Sequence, residues 1–157
     1  DEASRYFRDA GEYGIKPHIR DYIFTKWGTP EIDLFATNRN NVLPRFGSWG
    51  PDPEAEHIDS FQVNWGRFQS VYIFPPHCLI SRVIQKIIIE GAEGILIVPD
   101  WPRKYWYPQL RKIELDYDTF PCENQHIYLS VETDLQKKQC PFGFIRRAVR
   151  FSGKKFK

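Results

Sequence analysis

The segment "SVYIFPPHCLISRVIQKIIIEGAEGILIVP", Ser70 to Pro99, limits the fold most. Its two ends are short runs of β-branched and aromatic residues with no polar alternation. Such runs suit strands covered on both faces, as in a parallel sheet. Between them, Leu79, Val83, Ile84, Ile87 and Ile88 recur at helical spacing and put one apolar face on a helix. Gly91 and Gly94 close that helix. Strand, helix and strand in this order predict a parallel crossover unit, and hence an α/β protein.

The remaining elements extend this unit. Pro17 to Trp27 places Ile19, Ile23, Phe24 and Trp27 on one helix face, with Pro17 in its first turn and Gly28 as the stop. "EIDLFAT", Glu31 to Thr37, reads as a strand. Residues 38–53, rich in Asn, Gly and Pro, read as a long loop. "RKYWYPQLRKI" reads as a short, interrupted helix. "HIYLSVE" and "FGFIRRAVRF" read as two more strands, expected to form an antiparallel pair. The expected fold is a three-layer, Rossmann-like α/β sheet, mostly parallel, with that antiparallel pair at its C-terminal end. Residues 1–15 read as a lead-in, 16–151 as the domain and 152–157 as a basic tail.

In such sheets ligands sit at the carboxyl ends of the strands. Three apolar strands here end in unusual chemistry: "DLFATNRN", "IFPPH" and "IVPDWP". These ends are expected to face one crevice. Asp33 is an acid inside an apolar strand, which is costly unless it is paired or meets a ligand. It reads either as a cap or salt-bridged acid, or as an acceptor for ribose hydroxyls or an amino group. Pro75 and Pro76 are a rigid step, read as a strand-to-helix turn or as backbone beside a ligand. Trp101, Arg103, Lys104, Tyr105 and Trp106 either fold back on the sheet or hold a base. Asp52, Glu54, Glu56 and Asp59 around His57 fit a solvated loop better than a magnesium site, and no metal-ligand spacing occurs.

Charge is unevenly placed. Residues 137–157 carry eight Lys/Arg and no acid, while the whole chain has 22 basic and 20 acidic residues. Arg146, Arg147 and Arg150, interleaved with Phe142, Phe144, Phe151 and Phe156, suggest phosphate and base contact, so DNA or RNA is an expected partner. Three cysteines without a C-x-x-C pair argue for free thiols in a reducing compartment, cytoplasmic or nuclear. No apolar run approaches the roughly 18 residues of a membrane span, and no secretory leader is read. The lack of methionine, even at position 1, is expected of a piece of a longer polypeptide.

"WGTPEIDLFATNRNNVLPRFGSWGPDPEAEHIDSFQVNW", "YIFPPHCLISRVIQKI" and "GILIVPDWPRKYWYP" together resemble the region downstream of RNase H in polyproteins of DIRS-like and Ngaro-like tyrosine-recombinase retroelements. "DEASR" is similar to the end of that RNase H domain, where Asp1 matches its last carboxylate. The region is in turn similar to the phage-type Dam DNA adenine methyltransferase domain. Trp27, Gly28, Thr29 and Pro30 match its W-x-T-P element. Asp33 and Ala36 match L-D-x-x-A, which lies in the S-adenosylmethionine site. Asn40 and Trp65 match spacer residues, and Phe74, Pro75, Pro76 and His77 stand where N-P-P-Y is expected.

The resemblance therefore implies cofactor contacts by Thr29, Pro30, Asp33, Phe35, Ala36 and Asn40, a catalytic turn at Phe74 to His77, and no metal. In the family, the Asn and the first Pro carbonyl accept the target amino group of a flipped adenine and the aromatic stacks on it. Phe74 has no acceptor. Losing it costs on the order of 2–4 kcal/mol in the transition state, roughly 100- to 1,000-fold. Ala36, Thr37, Asn38 and Arg39 replace the glycine-rich cofactor loop. The expectation is a degenerate methyltransferase-like module that binds nucleic acid or a partner, with weak or no methyl transfer. The alternatives are an active adenine methyltransferase and a structural domain packed against the reverse transcriptase and RNase H parts of its polyprotein.

Overall fold

The computed structural model describes residues 13–121, 127–129 and 145–156. Its centre is a five-stranded sheet. In chain order the strands are β2 (Ile32–Asp33), β5 (Val71–Ile73), β6 (Glu93–Pro99), β7 (Glu114–Pro121) and β9 (Ile145–Ser152). In space they lie in the order β2-β5-β6-β9-β7. β2, β5 and β6 are mutually parallel, and β9 runs antiparallel to both β6 and β7. Two small ladders accompany the sheet: β1 (Tyr13–Ile15) with β8 (Ile127–Leu129), antiparallel, and β3 (Gly47–Ser48) with β4 (His57–Ile58), parallel.

The crossover unit forms as its apolar pattern predicts. β5 leads into helix α2 (Ile80–Glu90), and α2 leads into β6. α2 buries Ile80, Val83, Ile84 and Ile87, worth about 6–12 kcal/mol at 1.5–3 kcal/mol per aliphatic side chain. It stops at Gly91, whose φ of 69° is the left-handed cap that a side chain would disfavour. Gly94 is required for another reason: a Cβ there would run into the backbone oxygen of Val71 on the adjoining strand. Helix α1 (Pro17–Trp27) begins with Pro17 and ends where the Gly28 N–H donates to the Phe24 carbonyl at 2.8 Å.

Alternate residues of the central strands feed two cores. Val71, Ile73, Leu96, Val98, Val149 and Phe151 pack with α2 and with Leu110 and Ile113 of α3 (Tyr107–Ile113). Tyr72, Ile95, Ile97 and Ala148 pack with Ile23 of α1 and with Ile15. A strand read on both faces has no alternation to lose, which is why β6 was legible as a continuous apolar run.

Several expectations need correction. The strand expected over 31–37 is a ladder only at Ile32–Asp33, and the loop expected over 38–53 contains β3. The antiparallel partner of "HIYLSVE" is not "FGFIRRAVRF": β8 pairs with β1, and β9 lies inside the sheet. Ala148, Val149 and Phe151 are buried from both sides, so β9 fits only where strands flank it. Phe151, expected among stacking aromatics, is therefore core. β7 was not foreseen, because an edge strand with exposed Leu115, Asp116 and Tyr117 carries no apolar run. Ile15 of the expected lead-in is 1% exposed. In the expected tail, the Gly153 N–H donates to the Ala92 carbonyl at 2.8 Å and Lys154 pairs with Glu93. The folded unit thus reaches past both expected boundaries. Lys137, Lys138, Phe142 and Phe144 lie outside the described residues. Among those described, no helix is long and apolar enough to cross a membrane.

Candidate functional site

Parallel β2, β5 and β6 bring Asp33, the Phe74–His77 turn and Asp100 to one edge of the sheet. β3 joins the same edge, because Phe46 bridges Asp33 in parallel. β9 runs the other way, so its first residues arrive there as well: Arg146 lies opposite Pro99. Strand direction alone assembles this set.

Asp33 is 2% exposed. Its Oδ2 accepts the Val42 N–H at 3.1 Å, while Oδ1, also buried, has no hydrogen-bond partner. Burial pushes its carboxyl up to about 7, offset in part by the backbone N–H groups of Val42 and Phe35. Near neutral pH this side chain exchanges between a proton donor and an acceptor.

The loop that follows is closed on itself. Each backbone N–H from Ala36 to Val42 is engaged within the chain: Ala36 with the Gly47 carbonyl, Thr37 with Asn40 Oδ1, Asn38 with Asp52 Oδ2 and Arg39 with Thr37 Oγ1. Asn40 and Asn41 share the Thr37 carbonyl, and Val42 serves Asp33. A glycine-rich loop offers its N–H groups to a ligand, and this one has spent them. The expected cofactor residues are placed accordingly. Asn40 is buried and holds the Thr37 turn at 2.7 Å. Ala36 is buried, Pro30 is buried and Thr29 is exposed. Phe35 packs edge-on against Phe61 and Trp65. The backbone N–H groups of 36–42 are thus not offered to a ligand, and Asp33 Oδ1 is the buried polar atom left without a hydrogen bond beside them.

The Pro75–Pro76 step ends β5 in buried, rigid backbone and leads through a short 3-10 turn (His77–Leu79) into α2. His77 stands at the head of that turn. Its Nε2 lies 3.1 Å from Arg146 Nη1, and its ring meets Trp101 edge-on at 5.0 Å. A guanidinium can only donate, so His77 Nε2 accepts and the ring proton sits on Nδ1. Burial, then Arg146 and Lys104, press its pKa down to about 3. His77 is therefore neutral, and its Nε2 lone pair is already used. Arg146 is itself 2% exposed and lies over the Phe74 ring at 5.0 Å. Phe74, Arg146 and His77 thus form one cluster at the end of β5.

The neighbouring loop divides into two parts. Trp106 is buried and Trp101 packs partly buried against the α2 core, so both fold back. Arg103, Lys104 and Tyr105 stand exposed, Tyr105 at 77%. Of the three β9 arginines expected to meet nucleic acid, only Arg150 is exposed. Arg147 is buried and grips Glu114 through two nitrogens at 2.7 and 2.9 Å, reaches Asp100 at 3.4 Å and covers the Tyr117 ring at 3.7 Å. It holds β9 to β7 and to the loop after β6. Three of the acidic residues around His57 are likewise occupied: Asp52 accepts the Asn38 and Glu54 N–H groups, Glu56 pairs with Arg45, and Asp59 caps Phe61. His57 Nε2 meets Ser60 Oγ at 2.7 Å. Cys78 is exposed and outside any disulfide. Among the described residues, no group of His, Cys, Asp and Glu is placed to hold a metal ion.

The role of Arg146 was missed at the level of sequence. Two adjacent arginines inside an otherwise apolar strand were the available signal, since such charges must be spent on specific partners.

No family model matches this chain, and no curated protein matches it.

Proposed function

We propose that this chain is a degenerate DNA adenine methyltransferase-like module, Rossmann-like with helices on both faces of its sheet and derived from a retroelement polyprotein, that binds nucleic acid without appreciable methyl transfer. One observation carries the reading. The turn Phe74-Pro75-Pro76-His77 occupies the sequence position of the N-P-P-Y pattern, and its His77 Nε2 is taken by buried Arg146 and its ring by Trp101. A ring fixed in this way is withdrawn from stacking on an incoming base, and Phe74 offers no acceptor. The self-satisfied loop 36–42 supports the same conclusion on the cofactor side.

The binding surface is the exposed part of the same edge, where Arg103 and Lys104 have no acidic partner within salt-bridge distance among the described residues. Fluorescence anisotropy with DNA and RNA across a salt series tests it. The expected signal is binding that weakens steeply as salt rises, and a flat response at low ionic strength refutes the nucleic-acid reading.

An active S-adenosylmethionine-dependent enzyme is the second reading, favoured by the buried, unpartnered Oδ1 of Asp33. Calorimetry separates the two: heat of binding for S-adenosylmethionine below millimolar concentration, lost in Asp33→Ala, supports the enzyme.

A further inference from the structure

We infer that the ligand of this edge is a single strand of nucleic acid laid across the strand ends, with Trp49 and Tyr105 as its two stacking platforms and Arg39, Arg103 and Lys104 as its phosphate contacts. This rests on the nucleic-acid reading above and specifies its substrate.

Strand direction brings these residues together. β3 runs parallel to β2 through the Asp33–Phe46 bridge, so Trp49, the residue after β3, leaves the sheet at the carboxyl edge. Arg39 lies in the loop after β2, and Arg103 to Tyr105 lie in the loop after β6. Going from β3 through β2 and β5 to β6 takes three strand steps, about 14 Å at 4.7–4.9 Å per step. That matches on the order of four stacked nucleotides at about 3.4 Å each.

Two aromatics of the loops at this edge stand exposed. Trp49 is 44% and Tyr105 77% exposed, although large aromatic rings normally seek burial. Arg39, Arg103 and Lys104 are exposed as well. Of the acids along this edge, Asp52 is engaged with backbone N–H groups and Asp100 with Arg147 and Tyr107, and Asp33 is buried. Cations flanked by aromatic faces form the composition that holds single strands, because every unpaired base has a face to stack. A duplex keeps its bases stacked on one another, so Trp49 and Tyr105 would gain nothing from it, and three cations alone hold it weakly.

The test uses the full chain and three labelled probes of equal length: an unstructured single-stranded DNA, the matching RNA, and a DNA duplex. Anisotropy is measured at low and moderate salt. Single strands are expected to bind more tightly than duplex. Trp49→Ala and Tyr105→Ala are each expected to weaken single-strand binding at least about fivefold, from 1–3 kcal/mol of stacking per base. Ile89→Ala, an exposed apolar residue at the far end of α2, is expected to change nothing. Equal or tighter duplex binding, or unchanged single-strand binding in both aromatic variants, overturns the single-strand inference and leaves the nucleic-acid reading standing. Absence of binding to all three probes at low salt overturns both.

Discussion

Asp33 and His77 stand at the ends of neighbouring strands, both withdrawn from water, and burial drives each toward its neutral form. The acid is raised to about 7 and the imidazole is lowered to about 3. What differs is how their remaining valences are treated. Asp33 keeps a buried oxygen without a partner. His77 has its acceptor nitrogen on Arg146 and its ring against Trp101. One strand end therefore still offers a hydrogen-bonding group, and the next has been sealed by a residue from the last strand of the chain. The two strand ends share one architecture and differ in what they leave available.

The comparison has a thermodynamic signature, because the two shifts act oppositely on stability. With Asp33, the unfolded chain ionises near 3.8 while the folded chain holds its proton to about 7. The folded state binds more protons in that window, so stability falls as pH rises from about 4 to 7. With His77, the unfolded imidazole gains a proton below 6.5 while the folded one refuses it down to about 3. The unfolded state binds more protons there, so stability falls as pH drops from about 6.5 to 3. Over most of the range the two trends offset each other in the intact protein.

The largest expected effect comes from removing one side of this balance. Asp33→Asn keeps an acceptor for the Val42 N–H and abolishes the titration. Relative to the parent it gains about 4 kcal/mol between pH 4 and pH 8, at 1.36 kcal/mol per pKa unit. Urea unfolding at a series of pH values measures this gain, and parallel curves for the two proteins would contradict a buried, proton-holding Asp33. His77→Gln retains a neutral acceptor for Arg146 and gives the complementary result. It gains on acidification from pH 7 toward pH 3, by about 3 kcal/mol, since partial exposure screens the shift. Slopes of the same sign in both variants would break the comparison.

A smaller effect isolates the seal. Arg146→Met removes the donor to His77 while keeping much of the side-chain volume. It costs about 1–3 kcal/mol through the hydrogen bond lost in a buried setting, and it lifts the His77 pKa toward the usual range, because the guanidinium is one of its depressing causes. An NMR titration of the imidazole reads the lift directly, and an unmoved resonance would separate Arg146 from His77. The double variant Arg103→Ala/Lys104→Ala leaves stability within about 0.5 kcal/mol and reduces the salt dependence of nucleic-acid binding by about two phosphate contacts. An unchanged salt slope would move the binding surface elsewhere.

How much of this was legible depended on distance along the chain. The β5-α2-β6 unit was readable because buried parallel strands are apolar throughout and α2 has a clean helical face, both properties of local sequence. The edge that gathers Asp33, Pro75 and Asp100 followed from strand direction. β7 and the placement of β9 were not readable, because pairings such as Tyr117 with Val149 are contacts across more than thirty residues. The partner of His77 lies 69 residues away. The self-satisfied loop was hidden for a subtler reason: Ala36 to Val42 contains good ligand-binding residue types, and only the geometry shows Asn40 and Asp52 consuming their N–H groups.

The central claim is that the site holds a ligand without methylating it. Labelled-methyl transfer from S-adenosylmethionine to adenine-containing DNA and RNA tests this most directly, with the full chain at pH 7.5 and saturating nucleic acid. The account predicts binding of the nucleic acid and no incorporation above that of an Asp33→Ala control. Turnover by the parent chain that disappears in Asp33→Ala and in His77→Ala would contradict it, for both strand ends would then be working parts of an enzyme.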